Sequence, residues 1–213
     1  MIRSAFLISL LALFSVACGG GPKGPTALKW KYDEVHIAQL DMDAKSSMLT
    51  AQQEYQRARS ENMKAEADHR DNKTKLQVAK NERSQALLAE KSAREEKRAA
   101  DASSDMNRIN RAMKDLRAAE LARKAADEKV SVVKMQRKFL KAWVRYTLEE
   151  VYHKEARYEY AKASLGQKNN IAPKGVKYER YKAQVDERSR RAQKAKHKAD
   201  RMQAKVAEIR EYS

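Results

Sequence analysis

Three groupings in the chain carry residue types that could do chemistry. Cys18 is the only cysteine, so no internal disulfide competes for its thiolate, the reactive form of the side chain. Glu66-x-x-His69 and Glu150-x-x-His153 each place a carboxylate and an imidazole on one face of a helix. Di-iron sites in helical bundles use that spacing, but they also need carboxylates from two further helices in a well-packed core. Here His69 falls in a polar stretch and Glu150 follows Glu149 in a charged run, so the reading is two chance pairs and no metal. His36 and His197 have no partners at ligand spacing and read as solvated. With no Ser-His-Asp set on an α/β scaffold, no Gly-rich phosphate loop and no Cys pair, neither an enzyme nor a cofactor is expected.

The elements that must position these residues are helices. Of six Gly and three Pro, four Gly and two Pro lie between Gly19 and Pro25 and the rest between Gly166 and Gly175. Nothing from Thr26 to Leu165 is a helix breaker, and Ala, Glu, Lys and Arg dominate, a composition of long helices or coiled coils. Ala112, Leu116, Ala119, Arg123, Ala126 and Val130 begin a frame of alternating threes and fours that runs through Val144 and Val151 to Leu165. Tyr178, Tyr181, Val185, Arg188, Ala192, Ala195, Ala199, Met202, Val206 and Ile209 form a second. Both are heptad seams. The predicted fold is all-α, a long coiled-coil helix with a C-terminal antiparallel helical hairpin. Its parts are a coiled-coil helix over 27–165, a turn over 166–175 and a basic helix over 176–213. Upstream the seam is poorer, through Ile37, Met48, Tyr55, Ala65, Asn72, Leu76 and Ala86. Two stretches are candidate breaks, 68–74 and 103–105, where Ser103-Ser104-Asp105 coincides with a change of frame. Unbroken, 27–165 would reach on the order of 200 Å. The aromatic stretch Phe139, Trp143, Tyr146, Tyr152, Tyr158 and Tyr160 is expected to be hairpin core.

The amino terminus has a different character. Arg3 supplies a positive start, and Ala5–Ala17 is a short apolar run, too short for the ~20 residues that a bilayer span needs. It ends in Ser15-Val16-Ala17-Cys18, which resembles a bacterial lipobox. The resemblance implies a signal peptide over 1–17, cleavage after Ala17, and lipid (diacylglycerol, with palmitate-type acyl chains) on Cys18. Ser15 and Ala17 also suit ordinary signal cleavage, which would leave a free thiol. Gly19-Gly20-Gly21-Pro22-Lys23-Gly24-Pro25 is a polar, breaker-rich tether, so 18–26 reads as lipidated cysteine plus flexible link. Gly19 is not the Asp that retains enteric lipoproteins in the inner membrane. The resemblance therefore implies the outer membrane, facing the periplasm.

The chain carries 46 Lys and Arg against 29 Asp and Glu, a formal +17, of which the signal removes one. Such a charge favours anionic surfaces in a salt-dependent way. Export turns the expectation from nucleic acid toward lipid headgroups, lipopolysaccharide, cell wall or acidic proteins. The lipobox, tether and Ala-rich helices together resemble helical envelope lipoproteins. The expected function is a membrane-anchored structural or scaffolding component of the bacterial envelope, associating with itself or another helical protein. The alternative is a basic binding module for cell wall, lipopolysaccharide or an acidic envelope protein.

Overall fold

A computed structural model describes residues 26–171, 173 and 175–211. Ala17, Cys18 and the tether up to Pro25 lie outside the described residues. The protein is all-α, with helices α1 (Ser46–Ser103), α2 (Met106–Lys168) and α3 (Tyr178–Glu211) and a short 3-10 turn at Glu34–Ile37.

Helices α1 and α2 pack antiparallel. Asn62 faces Thr147, with the hydroxyl donating to Asn62 Oδ1 at 3.0 Å. Lys154 donates to Glu54 at 3.0 Å, Lys129 reaches Glu82 at 2.5 Å, and Arg83 pairs with Asp127. The seam is the one in the heptads: Ala51, Ala58, Ala65, Leu76, Ala79 and Ala100 are buried on α1, and Ala112, Val130, Thr147, Tyr158 and Leu165 on α2. Small side chains let the helices approach closely but remove little apolar area from water. Polar seam positions fix the register: Asn62 with Thr147, and Glu90 with Arg123 at 2.5 Å.

A single helix over 27–165 does not form. The chain reverses at Ser104, which adopts a left-handed φ of 56°, and Asp105 caps α2 by accepting from the backbone N–H groups of Asn107 and Arg108. Each long helix is therefore under half the unbroken reach, roughly 87–95 Å. The other candidate break, 68–74, is continuous helix; it has no Gly or Pro, and Asn72 is buried in the seam there. Residues 26–45 are also not part of a long helix. They begin as an extended strap and the 3-10 turn, because the polar backbone groups of the strap find partners on α2 and α3.

Helix α3 folds back along α2 as an antiparallel hairpin. Arg188 lies 5.2 Å from the ring centroid of Tyr152. Tyr158, Leu165 and Tyr181 share one buried cluster, against which Val176 and Tyr178 pack. The turn is shorter than 166–175, since α2 continues through Gly166 to Lys168. Reversal is made at Asn170 and Gly175, with φ of 56° and 86°. Helix α3 begins at Tyr178 rather than 176.

Among the described residues α1 and α3 do not pack on each other; both pack on α2. The reason is visible in α2, which buries two stripes. Its seam stripe faces α1, and Ala142, Glu149, Ala156 and Ala163, spaced by sevens, are buried on the opposite side. The three helices form a flat raft with α2 in the middle. Beyond the end of α3, α1 and α2 continue, without a third helix among the described residues, as a two-helix arm from the Arg83–Asp127 pair to Ser104, roughly 30 Å.

Candidate functional site

The most heavily built polar site is where the strap, residues 26–33, crosses α2 and α3. Its backbone is extended and must satisfy its own N–H and C=O groups. Gln184 does most of this: its Oε1 accepts from Lys29 N and Trp30 N at 3.0 Å each, and its Nε2 donates to Trp30 O at 2.9 Å. Arg188 donates to Thr26 O at 2.7 Å, and Tyr32 N donates to Glu159 Oε2 at 2.6 Å. A side-chain amide thus plays the part of a neighbouring β-strand.

Charge completes the site. Lys162 is buried between Glu159 at 2.9 Å and Glu34 at 3.3 Å and lies 4.6 Å from the Tyr158 ring centroid. Tyr158 Oη donates to Glu34 at 2.8 Å. That hydrogen bond is the main reason the Glu34 carboxyl titrates below its ordinary value, with Lys162 adding to it. Burial first, and then the bond to Glu34, push the Tyr158 phenol far up. Lys31 reaches Glu155 at 3.0 Å, and that hydrogen bond raises its ammonium pKa.

Shape completes it as well. A Cβ on Gly166 would land on Tyr32 Oη and within 2.8 Å of Tyr32 Cζ. Gly166 is a notch in α2 that admits the Tyr32 ring, which is buried and stands edge-on to Tyr181 at 6.3 Å between centroids. Ile37, only 2% exposed, plugs the same end of the raft and contributes on the order of 1.5–3 kcal/mol.

No known protein family, curated protein or solved structure matches the chain. The raft, the strap and the arm are what bear on function.

The two Glu-x-x-His pairs are not brought together. The antiparallel register puts His69 level with about Leu140, some 13 residues or roughly 20 Å along α2 from His153. Glu66 accepts from Asn62 Nδ2 at 3.0 Å, and His153 Nδ1 sits 3.4 Å from Glu150. That contact is the leading cause of the lowered Glu150 carboxyl. His36 and His197 lie on the exposed surface. Among the described residues no three His, Cys, Asp or Glu side chains converge as a metal site. No described helix is long and apolar enough to cross a membrane.

The aromatic stretch is split. Tyr158 is core and stacks on Tyr55 at 6.4 Å, while Tyr160 is exposed. Phe139, Trp143 and Tyr146 form a half-buried row, with centroids 6.1 and 5.1 Å apart. Tyr32, Glu159, Lys162 and Gln184 do not stand out in the sequence, because such residues are unremarkable in a charged chain. Gly166 was the available signal: a glycine continuing a heptad helix asks what its missing Cβ makes room for.

Proposed function

We propose that this chain is a membrane-anchored lipoprotein, lipidated at Cys18, that serves as a non-enzymatic structural or scaffolding component of the bacterial envelope. In this reading it faces the periplasm from the outer membrane. The observation that carries the scaffolding part is the two-helix arm. Its own seam is closed within the chain, so its heptad residues are occupied, and what remains for a partner is its outside. There Leu88, Leu121 and Met106 are exposed by 65%, 65% and 67%, apolar side chains available to a partner. The strap supports the anchoring part: it fastens the stretch just after the tether to both α2 and α3, so that a pull on the tether reaches the whole raft.

Photo-crosslinking residues placed at Leu88 and Leu121 in living cells should trap a helical protein or a second copy of the chain. Equal trapping from an exposed raft position such as Gln193, or none at the arm, would remove the scaffolding reading. The anchor is tested separately, by mass spectrometry of the mature amino terminus. Acyl chains on Cys18 are expected; an unmodified cysteine would sink the lipoprotein reading.

A further inference from the structure

On α2 and α3, the face that the strap crosses carries long rows of Lys and Arg. On α2 the strap and the turn after it touch Glu155, Glu159 and Lys162. Burial on α2 repeats by sevens at Ala142, Glu149, Ala156 and Ala163, so the face does not drift and the strap rows can be extended in sevens. Moving back from Glu155 and Lys162 gives Leu148, Lys141 and Lys134; moving back from Glu159 gives Tyr152, Arg145 and Lys138. On α3 the strap touches Gln184 at the backbone and Arg180, whose guanidinium lies 4.5 Å from the Trp30 ring centroid. Burial at Ala192, Ala199 and Val206 again keeps period seven. The Gln184 row continues as Arg191, Lys198 and Lys205, and the Arg180 row as Glu187, Lys194 and Arg201.

Nine cations therefore lie in these rows beyond the strap, over roughly 25 Å of the raft. Arg145 pairs with Glu149 and Arg191 with Glu187. The other seven meet no carboxylate among the described residues, and all seven stand in solvent. The reverse face differs. There α2 presents Phe139, Trp143, Tyr146, Glu150 and His153, and cations are interleaved with carboxylates: Glu54, Glu61, Asp68 and Lys75 share a row on α1, Arg57 pairs with Glu61, and Arg157 with Glu54. Burial first, then Glu150, Glu61 and Asp200, push the Tyr146 phenol up.

We infer that the strap face of the raft, along Lys134–Arg145 of α2 and Arg191–Lys205 of α3, docks on the phosphate headgroups of an anionic membrane surface. The occupant follows from where the chain leaves the structure. Thr26 lies at the level of Arg188, at the strap-side end of the basic rows, and the eight residues back to Cys18 span at most about 28 Å. A lipid on Cys18 is thus confined to a radius comparable with the length of the basic rows. Rows of cations without carboxylate partners, next to a lipid anchor, are what a membrane surface attracts, with the anchor giving attachment and the charges giving orientation. The inference rests on the membrane-anchored reading for its setting, but the surface acts without the lipid.

The test uses the chain from residue 18 onward with Cys18→Ser, and sedimentation with vesicles of phosphatidylglycerol and phosphatidylcholine. Binding to phosphatidylglycerol vesicles at least about tenfold tighter than to pure phosphatidylcholine, and weakening steeply from roughly 50 to 300 mM salt, is expected. Lys138→Glu, Lys141→Glu and Lys198→Glu together should cost about tenfold or more, and the matching Gln variants a smaller amount. A control carrying Arg57→Glu, Lys64→Glu and Lys75→Glu changes net charge equally on the reverse side of α1 and should cost much less. Equal losses for the two triple variants would reduce the effect to net charge and overturn the proposal. So would binding to purified cell wall in the absence of any preference for anionic vesicles. Because this chain carries no lipid, its result is independent of whether Cys18 is acylated.

Discussion

Tyr32 and Gly166 fit as key and notch: the phenol ring occupies the space that a side chain on α2 would fill. Gly166→Ala should expel the ring and loosen the strap, costing about 1–3 kcal/mol by overpacking. In a double-mutant cycle with Tyr32→Ala, most of that loss should disappear, since the clash needs both partners. Urea denaturation of the four variants measures it. Additive losses would mean that the alanine acts only through the helix.

Gln184→Ala removes three hydrogen bonds to the strap backbone. A loss of about 1–3 kcal/mol is expected, more than one net bond because partly buried N–H groups are left unpaired. Protease nicking between residues 26 and 45 should accelerate while α1–α2 stays resistant. Unchanged nicking would show that the apolar contacts of Tyr32 and Ile37 suffice.

Stability should fall at both ends of the pH scale. Glu34, Glu54 and Glu150 titrate below their ordinary value, held down chiefly by hydrogen bonds from Tyr158, Lys154 and His153 respectively. Such groups stabilise the fold above the ordinary carboxylate range, and the contribution is lost as pH falls through their depressed values. The Tyr158 and Tyr181 phenols are raised, in both cases chiefly by burial. Their contribution is fully present below the ordinary tyrosine value of about 10 and is lost as pH climbs from there through the raised values. Tyr158→Phe keeps the ring and removes the bond to Glu34. It should flatten both limbs of a stability-against-pH curve, and a curve parallel to the parent's would count against this assignment.

The reversal at Ser104 can be checked covalently. With Cys18→Ser, cysteines at Ala79 and Val130, which share a buried cluster, should crosslink within one chain through a short bismaleimide. Only dimeric products would mean that α1 and α2 pair between molecules.

The heptads of α2 and α3 were legible because Val, Leu, Tyr and Ala repeat there with few interruptions. The turn at Ser103-Ser104-Asp105 was visible as a change of frame, but a frame change alone does not separate a stutter from a reversal. The second buried stripe of α2 was not legible. Its members, Ala142, Glu149, Ala156 and Ala163, are small or charged, and only packing against α3 reveals them. Nor was the strap, whose sequence has no period of its own and whose partners lie more than a hundred residues away, as Tyr32 does from Glu159. For the same reason the basic rows read as a diffuse charge until the strap supplied a reference direction.

The strap also gives the molecule a mechanical grain. Its bonds to Arg188, Gln184 and Glu159 are strung along the helix axes, so their response to force depends on its direction. A load applied at Thr26 parallel to the helices shears these bonds together, and they must fail as a group. A load perpendicular to the raft peels them singly, from Arg188 inward toward Glu34. The attachment is therefore stiff to sliding and weak to lifting, as a length of adhesive tape is.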